Sequence, residues 1–147
     1  MQNTTLNILK TGNNVFITGS AGTGKTYILN QFIFYLKSRK ITPTVVAPTG
    51  IAASHLQGQT IHSFFSLGIR EDVDEYYIES LLEKKYLQTR FSKLKVLIVD
   101  EVSMVSPEIF SSMDKILRAF KENDLPFGGV QTILSGDFFQ LPPISRT

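Results

Sequence analysis

Eight consecutive residues, Gly19 to Thr26, have the types and the spacing needed to hold a phosphate group. They match the pattern G-x-x-x-x-G-K-[ST] in full, between an apolar run and a helical segment. Glycines let backbone N–H groups curve around an anion, and the following helix N-terminus adds the positive end of its dipole. Lys25 then supplies a charge for the β- and γ-phosphates, and the Thr26 hydroxyl supplies a magnesium ligand. The predicted nucleotide-binding residues here are Gly19, Ser20, Ala21, Gly22, Thr23, Gly24, Lys25, Thr26 and Tyr27.

Two adjacent carboxylates, Asp100 and Glu101, follow the apolar run 96–99. A carboxylate at the carboxyl tip of a parallel strand points into the crevice where ligands of α/β sheets bind. We therefore expect Asp100 to hold magnesium, through water, and Glu101 to orient or deprotonate an attacking water. Two acids alone are often only a solvated strand end, but their combination with a phosphate loop favours a site that hydrolyses nucleoside triphosphates.

A third candidate segment, 135–143, follows the last apolar run. Gln140 is an uncharged donor and acceptor, which suits it to contact a γ-phosphate or the attacking water. Asp137 either reaches the metal shell or holds the loop. Phe138 and Phe139 have a plain alternative role, the packing of a strand end.

Short apolar runs alternate with longer segments of helical period along the chain, which is typical of an α/β fold with a parallel sheet and helices on both faces. The predicted strands are Val15–Thr18, Thr44–Ala47, Lys95–Val99 and Gln131–Leu134. One helix is expected from the glycine loop to about Ser38, and a second from the N-cap Ser106 and Pro107. Residues 69–93 are expected to be helical and 123–129 to form a loop.

Composition indicates one globular domain and excludes several classes of protein. The 147 residues are 42% hydrophobic and 19% charged, and there is no cysteine for disulfides or cysteine-based metal sites. A net charge of +2 is too small to imply nucleic-acid binding by itself. No apolar run reaches membrane-spanning length and no signal peptide is evident. We expect an intracellular protein, cytoplasmic in a bacterium or nuclear or mitochondrial in a eukaryote.

Several ordered blocks resemble the motifs of the Pif-type DNA helicases, in superfamily one, group B. Residues 14–26 are similar to motif I of that family, and residues 47–53 and 59–65 to motif Ia and the segment after it. Residues 100–104 are similar to motif II, and residues 127–143 to motif III. The resemblance implies that residues 1–147 are the N-terminal RecA-like ATP-binding domain of such a motor, with a P-loop NTPase fold.

The same resemblance implies roles for individual residues. Catalysis would rest on Lys25, Glu101 and Gln140, with ATP and magnesium as cofactors, and a glutamine upstream of motif I, here Gln2, would read the adenine base. The residues implied to contact single-stranded DNA are Pro48, Thr49, Gly50, His62 and Phe64. A structural histidine at position 62 and a core phenylalanine at position 64 are the alternatives.

The family also needs a second RecA-like domain, which carries an arginine that completes the site. We expect these 147 residues to lack that domain, as a truncated product or a fragment would. We expect weak ATP binding and slow hydrolysis at most, because an arginine finger contributes about 10³-fold or more. The complete protein would unwind DNA in the 5′-to-3′ direction, bind duplex junctions, and serve DNA repair or recombination. The alternatives are a nucleotide-gated DNA-binding module, a RecD-like helicase fragment and, more weakly, a P-loop kinase.

Overall fold

Five parallel strands form one sheet in the computed structural model, which describes residues 2–19, 24–70 and 72–137. In chain order the strands are β1 (Val15–Thr18), β2 (Thr44–Ala47), β3 (Gln59–Thr60), β4 (Val96–Val99) and β5 (Gln131–Gly136). Their order across the sheet is β1-β5-β4-β2-β3, so β5 lies between β1 and β4. Every one of these pairings is parallel, as the alternation of apolar runs and helices predicts.

The register of the strands brings their carboxyl ends to one edge of the sheet. Thr18 at the end of β1 pairs with Gly136 of β5, and Val99 at the end of β4 pairs with Leu134 of β5. Val99 also pairs with Val46 of β2. Because neighbouring strands lie about 4.8 Å apart, the ends of β1 and β4 are separated by roughly 10 Å across β5.

The described part of the chain contains seven helices, of which the first precedes β1 and the other six connect the strands. They are α1 (Gln2–Lys10), α2 (Lys25–Ser38), α3 (Gly50–Ser54), α4 (Ile61–Phe65), α5 (Glu75–Leu82), α6 (Lys85–Ser92) and α7 (Pro107–Lys121). Short 3-10 turns follow β4, at Val102–Met104, and precede β5, at Pro126–Gly129. No helix among the described residues is both long enough and apolar enough to cross a membrane.

Helices cover both faces of the sheet, and the central strand β4 is buried on each side. Along β4 the side chains alternate, with Val96 and Ile98 in the core against α2, and Leu97 and Val99 in the core against α7. The α2 side chains in that core are Ile28, Leu29, Phe32 and Leu36, and those of α7 are Ile109, Met113, Ile116 and Leu117. These α2 and α7 side chains recur at helical spacing, so each helix turns one apolar face to the core.

The expected elements are confirmed, with small shifts at their ends. β4 begins at Val96 and not at position 95, and β5 continues two residues past Leu134. The Ser106 hydroxyl accepts a hydrogen bond from the Ile109 N–H at 3.1 Å, so Ser106 caps α7 as expected. Residues 69–93 contain two helices, α5 and α6, so the expected helical character of this segment is confirmed. The short elements α1, α3, β3 and α4 were not expected.

Gly128 lies where the chain turns back onto α7, and its backbone approaches the backbone of that helix closely. Its φ is +65°, and a Cβ there would lie 2.5 Å from the Leu117 carbonyl oxygen. Gly68 has nearly the same φ, +62°, but nothing within 4 Å of a Cβ. Gly68→Ala should lower the free energy of unfolding by about 1–2 kcal/mol through backbone strain alone.

Gly128→Ala carries the same strain and adds the steric clash, so we expect it to cost at least about 1 kcal/mol more than Gly68→Ala. Urea denaturation of the two variants measures the difference. Equal losses would show that the contact with Leu117 relaxes without cost.

Candidate functional site

The turn from β1 into α2 places the start of the phosphate-binding pattern against a helix N-terminus. Gly24 is the N-cap of α2 and has φ 92° and ψ 11°, a left-handed conformation that glycine adopts without strain. The α2 ladder starts there, since the Ile28 N–H donates to the Gly24 carbonyl at 3.0 Å. Residues Ser20–Thr23 lie outside the described residues. The described flanks provide the strand–glycine–helix arrangement in which backbone N–H groups bind phosphate.

Lys25 contacts the loop that precedes it. Its ammonium donates a hydrogen bond to the carbonyl oxygen of Gly19, six residues earlier. This contact holds a positive charge at the carboxyl end of β1. The next two side chains, Thr26 and Tyr27, are exposed, and the Tyr27 hydroxyl accepts a hydrogen bond from Gln31 of the same helix at 3.0 Å. A cation and a hydroxyl thus lie on the first turn of α2, where an anion is favoured.

Asp100 lies at the carboxyl end of β4 and is only 8% exposed. Its N–H donates to the Val46 carbonyl at 2.9 Å, which continues the pairing of β4 with β2. One carboxylate oxygen accepts from the Glu101 N–H at 2.9 Å. A buried carboxylate is costly unless it is hydrogen-bonded, paired or bound to a metal. A carboxylate can accept more hydrogen bonds than this single one, so Asp100 has acceptor capacity left for a metal or its water.

Glu101 adopts the left-handed conformation, with φ 53° and ψ 43°, immediately before the 3-10 turn Val102–Met104. A non-glycine residue in this region is strained by about 1–2 kcal/mol. Such strain is concentrated at functional sites, where the surrounding structure enforces it. The strain at Glu101 is consistent with the role that the sequence predicts for this carboxylate.

The end of β5 packs tightly against the turn after β4. A Cβ on Gly136 would lie 3.1 Å from Val102 Cγ1 and 3.3 Å from the Ser103 N–H nitrogen, so the approach favours glycine. Two hydroxyls on these segments, those of Ser103 and Ser135, are buried and have no hydrogen-bond partner among the described residues. Buried polar atoms without partners commonly mark a place where water, an ion or a ligand completes the site. Sequence reasoning did not single out either hydroxyl.

The donors at this edge fit magnesium. Mg²⁺ prefers carboxylate and hydroxyl oxygens and keeps several waters, with substrate phosphates completing its shell. Asp100 and Thr26 are donors of that kind, one directly after β4 and one at the start of α2. Within the described residues no three or more histidine, aspartate or glutamate side chains cluster as a protein-only metal site. Magnesium at this edge would therefore depend on a bound nucleotide.

The motif Ia residues lie at the same edge, beyond β4. Thr49 caps α3, because its hydroxyl accepts from the Ala52 N–H at 3.1 Å. Pro48 is half-buried, and Gly50 is exposed with open space around it. The end of β2 pairs with Thr60, which precedes α4 and its half-buried His62. These residues lie on, or directly before, α3 and α4, and Thr49 has a helix-capping role in addition to any contact with a ligand.

Phe64 is a correction to the predicted DNA-contacting set. Its side chain is 4% exposed and packs edge-on against Phe65 and Phe91, with ring centroids 5.2 and 5.3 Å away. A base can stack only on an exposed ring face, and these neighbours fill the space that it would need. The core alternative is the one that the burial supports.

Three further predictions cannot be placed. Gln140 lies outside the described residues, as do Phe138 and Phe139. Gln2 is the first residue of α1, and its side chain is not among those described. Asp137 is described and follows β5 directly, in a half-buried position.

A parallel sheet of this order, with a glycine turn after β1 and acids after β4, defines the class of RecA-like P-loop NTPases. A family model described as PIF1-like helicase matches residues 2–147. The chain belongs to that family.

Known relatives agree in sequence and in structure. The ATP-dependent DNA helicase Pif1 of Psychrobacter sp. (strain PRwf-1) is 48% identical over 143 residues, which are 97% of this chain and 22% of that protein. The crystal structure of the Candida albicans Pif1 helicase superposes with a TM-score of 0.88 at 37% identity, covering 98% of this chain and 33% of the other. The Bacteroides Pif1 helicase in complex with ADP-AlF3 and ssDNA gives a TM-score of 0.73 at 38% identity, covering 99% of this chain and 33% of the other. This chain spans about a fifth to a third of these proteins.

The strain at Glu101 can be tested by a substitution that removes it. Glu101→Gly should raise the free energy of unfolding by about 1 kcal/mol, because glycine occupies the left-handed region without penalty. Glu101→Ala keeps the strain and should stay within about 0.5 kcal/mol of the parent chain. Urea denaturation gives both values, and a destabilised Glu101→Gly would contradict the strained conformation.

Proposed function

We propose that these 147 residues are the N-terminal RecA-like motor domain of an ATP-dependent DNA helicase, which binds ATP with magnesium and single-stranded DNA. The observation that carries the proposal is the pairing of β1, β5 and β4, whose ends bring Gly19, Lys25 and Asp100 to one edge of the sheet. The ends of β1 and β4 lie about 10 Å apart across β5, a span on the scale of a triphosphate with a hydrated ion bound beyond the strand ends.

Each residue at this edge has a distinct task in the proposal. The Lys25 ammonium leaves the Gly19 carbonyl and binds the β- and γ-phosphates, exchanging a neutral acceptor for charged ones. Thr26 and Asp100 hold magnesium, which neutralises the phosphate charge when it is bound. Glu101 orients the attacking water and accepts its proton. Gln140 contacts the γ-phosphate, and Gln2 contacts the adenine.

Single-stranded DNA is proposed to cross the ends of β2 and β3, at Pro48, Thr49, Gly50 and His62. The exposed backbone at the start of α3 and the half-buried imidazole of α4 offer polar contacts along this surface. A similar protein, the Bacteroides Pif1 helicase, is described in complex with ADP-AlF3 and ssDNA, which supports both ligands for this chain. Phe64 is not part of the proposed surface.

For the whole protein we propose a second RecA-like domain in the same chain. The relatives are three to five times longer than this chain, which leaves ample length for that domain. ATP-driven opening and closing of two domains would then produce 5′-to-3′ unwinding at duplex junctions, inside the cell, in repair or recombination.

A nucleotide-gated module without turnover is the second candidate for the chain taken alone. The four arginines that the structure describes are all engaged elsewhere. Arg39 lies over the Tyr35 ring, Arg70 over Tyr77 and Arg90 over Phe64, and Arg118 pairs with Asp114. Without one of these four described arginines at the γ-phosphate, hydrolysis is expected to be about 10³-fold or more below that of a completed site.

Binding of a fluorescent ATP analogue with magnesium tests the proposal on this chain. Lys25→Ala should weaken binding at least about tenfold, because it removes a charge-assisted contact with the phosphates. Lys37→Ala, an exposed lysine on the same helix, is the matched control and should bind like the parent chain. Equal affinities for all three would contradict the proposed site.

The proposed role of Glu101 in hydrolysis is tested by two measurements, binding of the ATP analogue and DNA-stimulated turnover. Glu101→Gln should bind the analogue within about threefold of the parent chain, yet lower DNA-stimulated turnover by about 10²-fold or more in a longer version carrying the second domain. Tight binding with no turnover in the longer version, with or without single-stranded DNA, would support the module and refute the motor.

A further inference from the structure

A basic groove lies at the edge of the sheet opposite the nucleotide site, where β2 and β4 begin. It has a volume of about 390 Å³ and lies beside the connections from α2 into β2 and from α6 into β4. Four cationic side chains line it: Lys40, Arg90, Lys93 and Lys95. The chain as a whole carries a net charge of only +2, so four cations around one groove are a local concentration.

In the part of the chain that the structure describes, no acidic side chain lines this groove and no ion pair neutralises its cations. The salt bridges within the described residues are Lys115–Asp72 and Arg118–Asp114, neither of which involves the groove. Burial, and then the positive charge of Lys95, lower the pKa of nearby Lys121. The positive charge of Lys95 thus disfavours a second positive charge nearby, and a bound anion would reduce this repulsion.

Arg90 is held in place for recognition of an anion. One guanidinium nitrogen donates to the Phe64 carbonyl at 2.7 Å, and the group lies over the rings of Phe64 and Tyr86, 5.3 and 5.6 Å from their centroids. A guanidinium has five N–H donors, so fixing it through one leaves others for a ligand. A planar, immobilised fork of this kind suits the paired oxygens of a phosphate.

We propose that this groove binds the phosphodiester backbone of a nucleic-acid strand, as a contact separate from both the nucleotide site and the Pro48–His62 surface. Thr42 and Thr44 also line it, and threonine hydroxyls are common donors to phosphate oxygens. The bond from Arg90 to the Phe64 carbonyl ties the groove to α4, which also carries His62. A strand that leaves the Pro48–His62 surface over α4 would therefore meet these cations.

An acidic peptide is the less suitable ligand for the groove. Peptides commonly bind sheets by adding their backbone to a free strand edge. β2 and β4 pair with each other through Thr44 and Leu97, Val45 and Ile98, and Val46 and Val99. The groove between them thus offers side-chain donors and charges, which a phosphate backbone uses, and no open strand edge.

Fluorescence anisotropy of the 147-residue chain with a labelled oligothymidylate of about 16 nucleotides tests the proposal, since that length fills a typical single-strand site. Lys93→Gln/Lys95→Gln removes two exposed cations from the groove. Lys10→Gln/Lys37→Gln removes two lysines outside the groove lining and lowers the net charge equally. Thermal unfolding checks that both variants fold.

The groove variant should bind the oligonucleotide about tenfold more weakly at low salt. The slope of log affinity against log salt should fall in magnitude by about 1.4, which corresponds to the loss of two phosphate contacts with a single strand. The control variant should change affinity less than about threefold. Both should bind the fluorescent ATP analogue like the parent chain. Lys25→Ala should lose the analogue and keep the oligonucleotide, which separates this proposal from that of the nucleotide site.

Three outcomes would overturn the proposal. The first is equal weakening by the groove and control variants, which would reduce the effect to net charge. The second is displacement of the oligonucleotide by polyglutamate at matched charge, in the parent chain and not in the groove variant, which would make the groove an acidic-peptide site. The third is that millimolar inorganic phosphate alone inhibits oligonucleotide binding, while the lysine changes have no effect on it.

Discussion

The parallel pairing of β5 between β1 and β4 is the constraint on which the site depends. Through it, Thr18 lies beside Gly136 and Val99 beside Leu134, so that three strands end at one edge. Neither the glycine turn nor the acids after β4 would form a site if this register slipped, because a shift by one residue reverses the direction of every side chain. The alternating burial of β4 between the α2 and α7 cores makes such a slip costly.

Several features of this edge reduce stability locally, and a ligand would offset their cost. Asp100 is a buried carboxylate, Glu101 is in a strained conformation, and the hydroxyls of Ser103 and Ser135 are buried without partners among the described residues. The rest of the fold offsets these costs through two apolar cores and capped helices. An anion with a divalent cation would supply acceptors, charge and water to the same place. Pre-formed acceptors and donors of this kind reduce the reorganisation needed on binding.

The sequence predicted what local pattern determines and missed what tertiary contacts determine. Apolar runs and the Ser106–Pro107 start signal located four strands and two long helices, because burial on both sides and capping leave direct signatures. The short helices α3 and α4 begin at capping threonines but have too few residues for a visible apolar period. Whether Phe64 packs or stacks depends on Phe91, 27 positions later, and the groove at Arg90 depends on the same distant packing. No local pattern carries that information.

Nucleotide binding at this edge requires Lys25 to exchange the Gly19 carbonyl for phosphate oxygens. A crystal structure of the chain with a non-hydrolysable ATP analogue and magnesium tests this exchange most directly. We predict that the Lys25 ammonium leaves the Gly19 carbonyl for the β- and γ-phosphates, with the metal between Thr26 and Asp100. A bound nucleotide that leaves Lys25 on the Gly19 carbonyl, or that lies away from the ends of β1 and β4, would contradict it.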